Sequence, residues 1–122
     1  MGFGKLVLDP ADIYFSKYIR MRDDWRCKRC GRYDPPPSTL QCSHFFGRRM
    51  ESVRFDEENC DTLCFGCHRY WEKEDREAYR AFKVKQLGVK GFDALTVRAY
   101  TPQKKDREMA LMYWKEKLKA GV

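Results

Sequence analysis

The sequence predicts an α+β fold with more helix than strand, organised as one domain over residues 1–122. Three observations lead there. Two Cys-x-x-Cys pairs, Cys27-Lys28-Arg29-Cys30 and Cys64-Phe65-Gly66-Cys67, stand with 33 residues between them. Inside that gap, residues 39–46 and 59–63 have strand composition. Around it, apolar residues recur at helical spacing. The expected order is an N-terminal helix over about 10–23, a metal-stapled core over about 25–75, and C-terminal helices over about 75–120.

Each element has a local cause. Asp9-Pro10 reads as a helix start, with Asp as N-cap and Pro at the first helical position. Ile13, Tyr14, Tyr18 and Ile19 supply the stripe, and the helix should fade at Asp23-Asp24. Asp34-Pro35-Pro36-Pro37 fits neither a helix nor a central strand and is read as loop. Residues 51–58 are polar, and the chain returns as a short strand at 59–63. From Cys67 it turns helical through His68, Tyr70 and Trp71. A further helix over 75–87 should stop at Gly88, and 91–100 should form another short one. Thr101-Pro102 is read as the cap of a final amphipathic helix carrying Met109, Met112, Tyr113 and Leu118 and ending at Gly121. Tyr79, Phe82, Tyr113 and Trp114 are read as core, with a homodimer surface as the alternative.

Composition narrows the function classes. The hydrophobic share is 43% and the aromatic share 15%, which suits a globular chain rather than a disordered tail. No apolar run approaches the ~20 residues of a membrane span. The first ten residues hold too short an apolar stretch for a signal peptide, so the expected compartment is the cytoplasm. Disulfides do not persist there, which favours metal over disulfides for the six cysteines. The net charge is +7 from 25 basic and 18 acidic residues. Residues 1–50 hold 10 of the basic and 5 of the acidic groups. Lys17, Arg20, Arg22, Arg26, Lys28, Arg29 and Arg32 form the densest stretch. This balance fits a polyanionic partner, and equally a solvated surface.

Two residues between cysteines let both thiolates of a tight turn face one ion, with backbone N–H groups stabilising the sulfur charge. Two such pairs point to a closed four-cysteine site for structural Zn²⁺ made by Cys27, Cys30, Cys64 and Cys67. Gly31 and Gly66 are expected to relieve crowding in the turns. Cys42 and Cys60 are read as small buried side chains on the two strands.

Within the gap lie Gln41-Cys42-Ser43-His44-Phe45 and Asn59, and His68 directly follows the last knuckle cysteine. The series His44, Asn59, Cys64-x-x-Cys67-His68 resembles the HNH nuclease family over about residues 25–75. Phe15-Ser16-Lys17-Tyr18-Ile19-Arg20, Gln41 to Phe45 and Arg54-Phe55-Asp56-Glu57-Glu58-Asn59 are similar to the phage NinG/Rap recombination-protein group. The resemblance implies a ββα-metal core of two antiparallel strands and a helix. It also implies hydrolysis of DNA, duplex or branched. His44 would be the general base, Asn59 would orient it, and His68 would ligate a catalytic Mg²⁺ or Mn²⁺. A neutral imidazole suits the base because its ordinary pKa lies near working pH. Glu72, four residues beyond His68, shares its helix face as a further ligand. Arg48, Arg49 and Arg54 are candidate phosphate clamps. Many family members carry Asp or His as a metal ligand just before the base, whereas this chain has Ser43. That leaves Cys42 or Glu72 as a substitute, and a DNA-binding or recombination accessory protein with a decayed site as the alternative function.

Overall fold

A computed structural model describes residues 8–121. The leader reading rests mainly on residues 1–7 and lies outside the described residues. Helix α1 spans Pro10–Arg22 and starts as expected. The Asp9 side chain accepts from the Ala11 N–H at 3.0 Å, and Asp12 reciprocates by accepting from the Asp9 N–H at 2.7 Å. This double cap satisfies N–H groups that the first turn leaves without helical partners.

Strand β1 covers Gln41–His44 and β2 covers Cys60–Leu63, paired antiparallel with His44 opposite Cys60 and Ser43 opposite Asp61. Both are shorter than their composition suggested. Side chains alternate across a sheet, and here each face meets a different helix. Cys42 and Cys60 pack with Phe15, Tyr18 and Ile19 of α1 and with Trp114. Ser43 and Asp61 point the other way, toward Tyr79.

Helix α2, Phe65–Arg69, begins two residues before Cys67 and runs into a π-helical turn at Tyr70–Glu74. Helix α3, Arg76–Ala99, is continuous except at Gly88, whose φ of 77° and ψ of 162° suit only glycine. As expected, the first helical stretch stops at Gly88; the second resumes directly after it, so the two meet at a kink with no connecting loop. Helix α4, Arg107–Ala120, is capped by the Asp106 side chain, which accepts from the Met109 N–H. Thr101-Pro102 does not cap it. The helix starts only at Arg107, so the cap position falls on Asp106.

The core sits on both sides of the sheet. Trp114 of α4 lies 4.8 Å from Phe15 and 4.9 Å from Tyr18, ring centre to ring centre, closing one side. Trp71 stacks on Tyr79 at 4.7 Å on the other. Tyr79 and Trp114 are buried and Phe82 is half-buried, as a core reading requires, whereas Tyr113 is 50% exposed. Beneath Ser43, the fully buried Lys83 donates to Asp61 at 3.1 Å, and Gln86 and Tyr79 complete the hydrogen bonds. A buried charge needs such partners. This network pins α3 to β2. No helix among the described residues is long and apolar enough to cross a membrane.

Candidate functional site

The two knuckles meet although 33 residues separate them, because the Lys28 N–H donates to the Thr62 carbonyl at the end of β2. The sulfur atoms of Cys27, Cys30, Cys64 and Cys67 all lie within 4.8 Å of one another. Cys30 Sγ and Cys64 Sγ are 3.9 Å apart. Tetrahedral zinc with Zn–S bonds of about 2.3 Å places its sulfurs about 3.8 Å apart. A disulfide needs about 2.05 Å, and all six cysteines are free thiols. The four sulfurs could hold a metal ion such as zinc. Burial raises the Cys27 thiol, but backbone N–H groups led by that of Cys30 outweigh it and bring the group to about 7. Burial and the hydrogen-bonded neighbouring sulfurs push Cys67 up to about 12, against the pull of Arg29. A bound cation would offset the mutual repulsion of four adjacent thiolates. The Arg29 guanidinium donates to Cys67 Sγ at 3.4 Å and lies over the Tyr70 ring, so this side chain serves the cluster. Gly31 has φ of 80° and meets the expected need for glycine. Gly66 lies inside α2, where an added Cβ would touch nothing, so crowding does not explain it.

The histidines stand on the other side of the knuckle. His44 Nε2 lies 2.9 Å from the Arg54 carbonyl. A carbonyl only accepts, so Nε2 carries the hydrogen and the lone pair sits on Nδ1. Burial drives the His44 imidazole down to about 4, so it is neutral at physiological pH. Asn59 is fully buried and bridges the loop that carries the Arg54 carbonyl. Its side-chain oxygen accepts from the Phe46 N–H at 2.8 Å, and its amide donates to the carbonyls of Phe46 at 2.9 Å and Val53 at 3.0 Å.

His68 Nδ1 donates to Gln41 Oε1, and His68 Nε2 faces Glu72 Oε2, each at 2.6 Å. The hydrogen bond from His68 holds the Glu72 carboxyl below its ordinary range. Gln41 accepts from the Nδ1 hydrogen, and for Nε2 to take a metal it would have to give up the proton it shares with Glu72. His44 and His68 both line one cavity of about 420 Å³, with Arg20 and Arg48 on its wall. Gln41, His68 and Glu72 line an adjoining one of about 280 Å³. A larger cavity of about 550 Å³ runs along α4, but Glu51, Asp56, Glu57 and Asp106 line it, which suits a polyanion poorly.

One expectation changes. Arg54 is no phosphate clamp: it is 2% exposed, and its guanidinium donates to both carboxylate oxygens of Asp12, at 2.9 and 2.5 Å. Its part in the site is its carbonyl. Ser43 is fully buried, with Oγ 2.9 Å from the Tyr79 hydroxyl, on the face away from Cys42 and His44. Strand alternation, as well as weak ligand chemistry, removes it from the cavity. Arg48 lines the cavity, whereas Arg49 is exposed beside it in sequence. Sequence reasoning missed Gln41, Arg20 and the Asp12–Arg54 clamp. Only the clamp left a trace, since Asp12 is the third residue of a capping box. In comparisons with known proteins, no family model matches the chain, and no curated protein and no solved structure matches it.

Proposed function

We propose that the chain is a metal-dependent endonuclease of the HNH class that hydrolyses DNA phosphodiester bonds, with a structural zinc ion on Cys27, Cys30, Cys64 and Cys67. One observation carries the reading: a neutral imidazole with its lone pair on Nδ1 and His68 line the same arginine-flanked cavity, and His68 pairs with Glu72 in the adjoining one. His44 removes a proton from the attacking water through Nδ1, while its Nε2 hydrogen stays on the Arg54 carbonyl. A phosphate entering the cavity brings negative charge, which favours the protonated imidazole and so strengthens the base as substrate binds. Asn59 acts as a positioning residue by holding the loop. Arg48 and Arg20 bind phosphate oxygens. One imidazole and one carboxylate fit a hard divalent ion that keeps its remaining places for water and phosphate. Mg²⁺ or Mn²⁺ held by His68 and Glu72 would supply positive charge to the phosphate and the leaving oxygen.

The test is cleavage of supercoiled plasmid with Mg²⁺ or Mn²⁺. Wild type should nick or linearise it, and His44→Ala should lose about 10²–10⁴-fold in rate. Equal rates for the two proteins sink the nuclease assignment. The inward turn of Ser43 favours a second reading, a zinc-stapled DNA-binding or recombination accessory protein. DNA shifted in a gel by a chain that cleaves nothing would select it.

A further inference from the structure

Beside the zinc knuckles, a second group of metal-binding side chains comes together. Sγ of Cys42, Sγ of Cys60 and a ring nitrogen of His44 all lie within 4.8 Å of one another. The strand register makes this so: Cys42 and His44 are two apart on β1 and share a face, and Cys60 is the direct partner of His44 on β2. Neither cysteine is in a disulfide. We propose that Cys42, His44 and Cys60 form a second metal site that takes a thiophilic d¹⁰ cation such as Zn²⁺ and, when filled, occupies the lone pair of His44.

The donor set argues for that class of ion. Two thiolates and one imidazole select zinc-like ions over Mg²⁺ or Ca²⁺, which seek oxygen. On binding, Zn²⁺ gains three bonds, two from sulfur and one from nitrogen, and the two thiol protons pass to solvent. The resulting complex is electrically neutral, as burial beside Phe15, Tyr18, Ile19 and Trp114 demands. Three protein ligands leave a fourth place for water, typical of open rather than closed zinc sites. Cys42 and His44 line the cavity of about 420 Å³, which provides the entry path, while Cys60 is fully buried. His44 Nε2 keeps its hydrogen on the Arg54 carbonyl throughout, so the metal and the catalytic proton compete for the same Nδ1. The cleft would then respond to two kinds of ion at different residues: a hard one at His68 and Glu72, and a soft one that silences the base. The silencing, unlike the binding, rests on the nuclease reading.

The test uses the reduced full chain already carrying one equivalent of zinc. Added Zn²⁺ is followed by calorimetry, by metal analysis after gel filtration, and by the ¹⁵N resonances of the histidine side chains. A second equivalent should bind and should shift the Nδ1 resonance of His44. Cys42→Ser and, separately, His44→Gln should weaken it by at least about 10–100-fold while the first equivalent stays bound. No second equivalent at millimolar zinc, one indifferent to both substitutions, or a Cys42–Cys60 disulfide in the reduced protein overturns the site. Plasmid cleavage in Mg²⁺ should fall by about 100-fold or more as the second equivalent fills. Cleavage that continues with that equivalent bound overturns the silencing. A chain that binds two zincs yet never cleaves DNA refutes the nuclease reading and leaves the site standing.

Discussion

His44 is held by a relay that starts in another element. Asp12, fixed by its capping bond to the Asp9 N–H, clamps the Arg54 guanidinium, and the Arg54 carbonyl accepts from His44. Burial raises the Asp12 carboxyl, but the Arg54 hydrogen bonds outweigh it and hold the group below its ordinary value. Removing one partner leaves the other charge buried and uncompensated. Arg54→Met should therefore cost about 3–5 kcal/mol in urea unfolding, far more than a surface arginine; a change below about 1 kcal/mol would place the pair among exposed ones. His44 gives a pH signature. Its folded-state pKa of about 4 lies below the ordinary 6.5. Between those values the unfolded chain binds more protons, so the stability contribution is complete above about pH 6.5 and is lost as pH falls toward 4. From pH 7 to 5 that loss is on the order of 2 kcal/mol for the protein carrying one equivalent of zinc, and His44→Gln with the same single equivalent should be spared it. Parallel pH curves for the two proteins would mean that the fold does not keep His44 neutral.

At the scale of elements, the knuckles are the clearest case of spacing that predicts geometry. A Cys-x-x-Cys turn is local, so its thiolates converge whatever lies around it. The meeting of the two turns is not local and depends on β2 running beside the first knuckle. Structural zinc contributes roughly 10–16 kcal/mol in small metal-bound domains, as much as or more than the 5–15 kcal/mol stability of a whole domain. Chelation should accordingly abolish the cooperative melt and reduce the far-ultraviolet helix signal. An unchanged spectrum after complete zinc loss would contradict a structural role. The segment between the strands shows the opposite limit. Residues 51–58 look polar and solvated, yet Val53 and Arg54 are buried there, Val53 beneath Leu95 and Ala99. Its burial comes from the far end of α3, distant in the chain, and no local pattern announces it.

At the scale of the whole molecule, the +7 charge has no direction until the fold distributes it. The cavity along α4 is lined mainly by carboxylates among its charged groups, and the one bearing His44 and His68 is flanked by Arg20 and Arg48. If DNA binds through Arg20 and Arg48, two phosphate contacts release counterions and affinity should fall by about 12-fold between about 50 and 200 mM salt. Arg48→Ala should reduce the slope by about one contact. Salt-independent binding would remove the phosphate-clamp account.

By itself the sequence determined what depends on neighbours in the chain. The α1 cap follows from Asp9-Pro10, the thiolate pairs from two-residue spacing, the two strands from composition, and the His68–Glu72 pair from a four-residue helical step. The tertiary structure alone decided what depends on which surfaces meet. It turned Arg54 from a phosphate ligand into a buried clamp, faced Ser43 away from the cleft, and set Gln41 against His68. It also gathered Cys42, His44 and Cys60 onto one face. Each of these outcomes is a contact across at least 15 residues of chain. Such contacts are fixed by the register of β1 against β2 and by the helix that covers each face, and hydrophobic pattern and motif spacing encode neither.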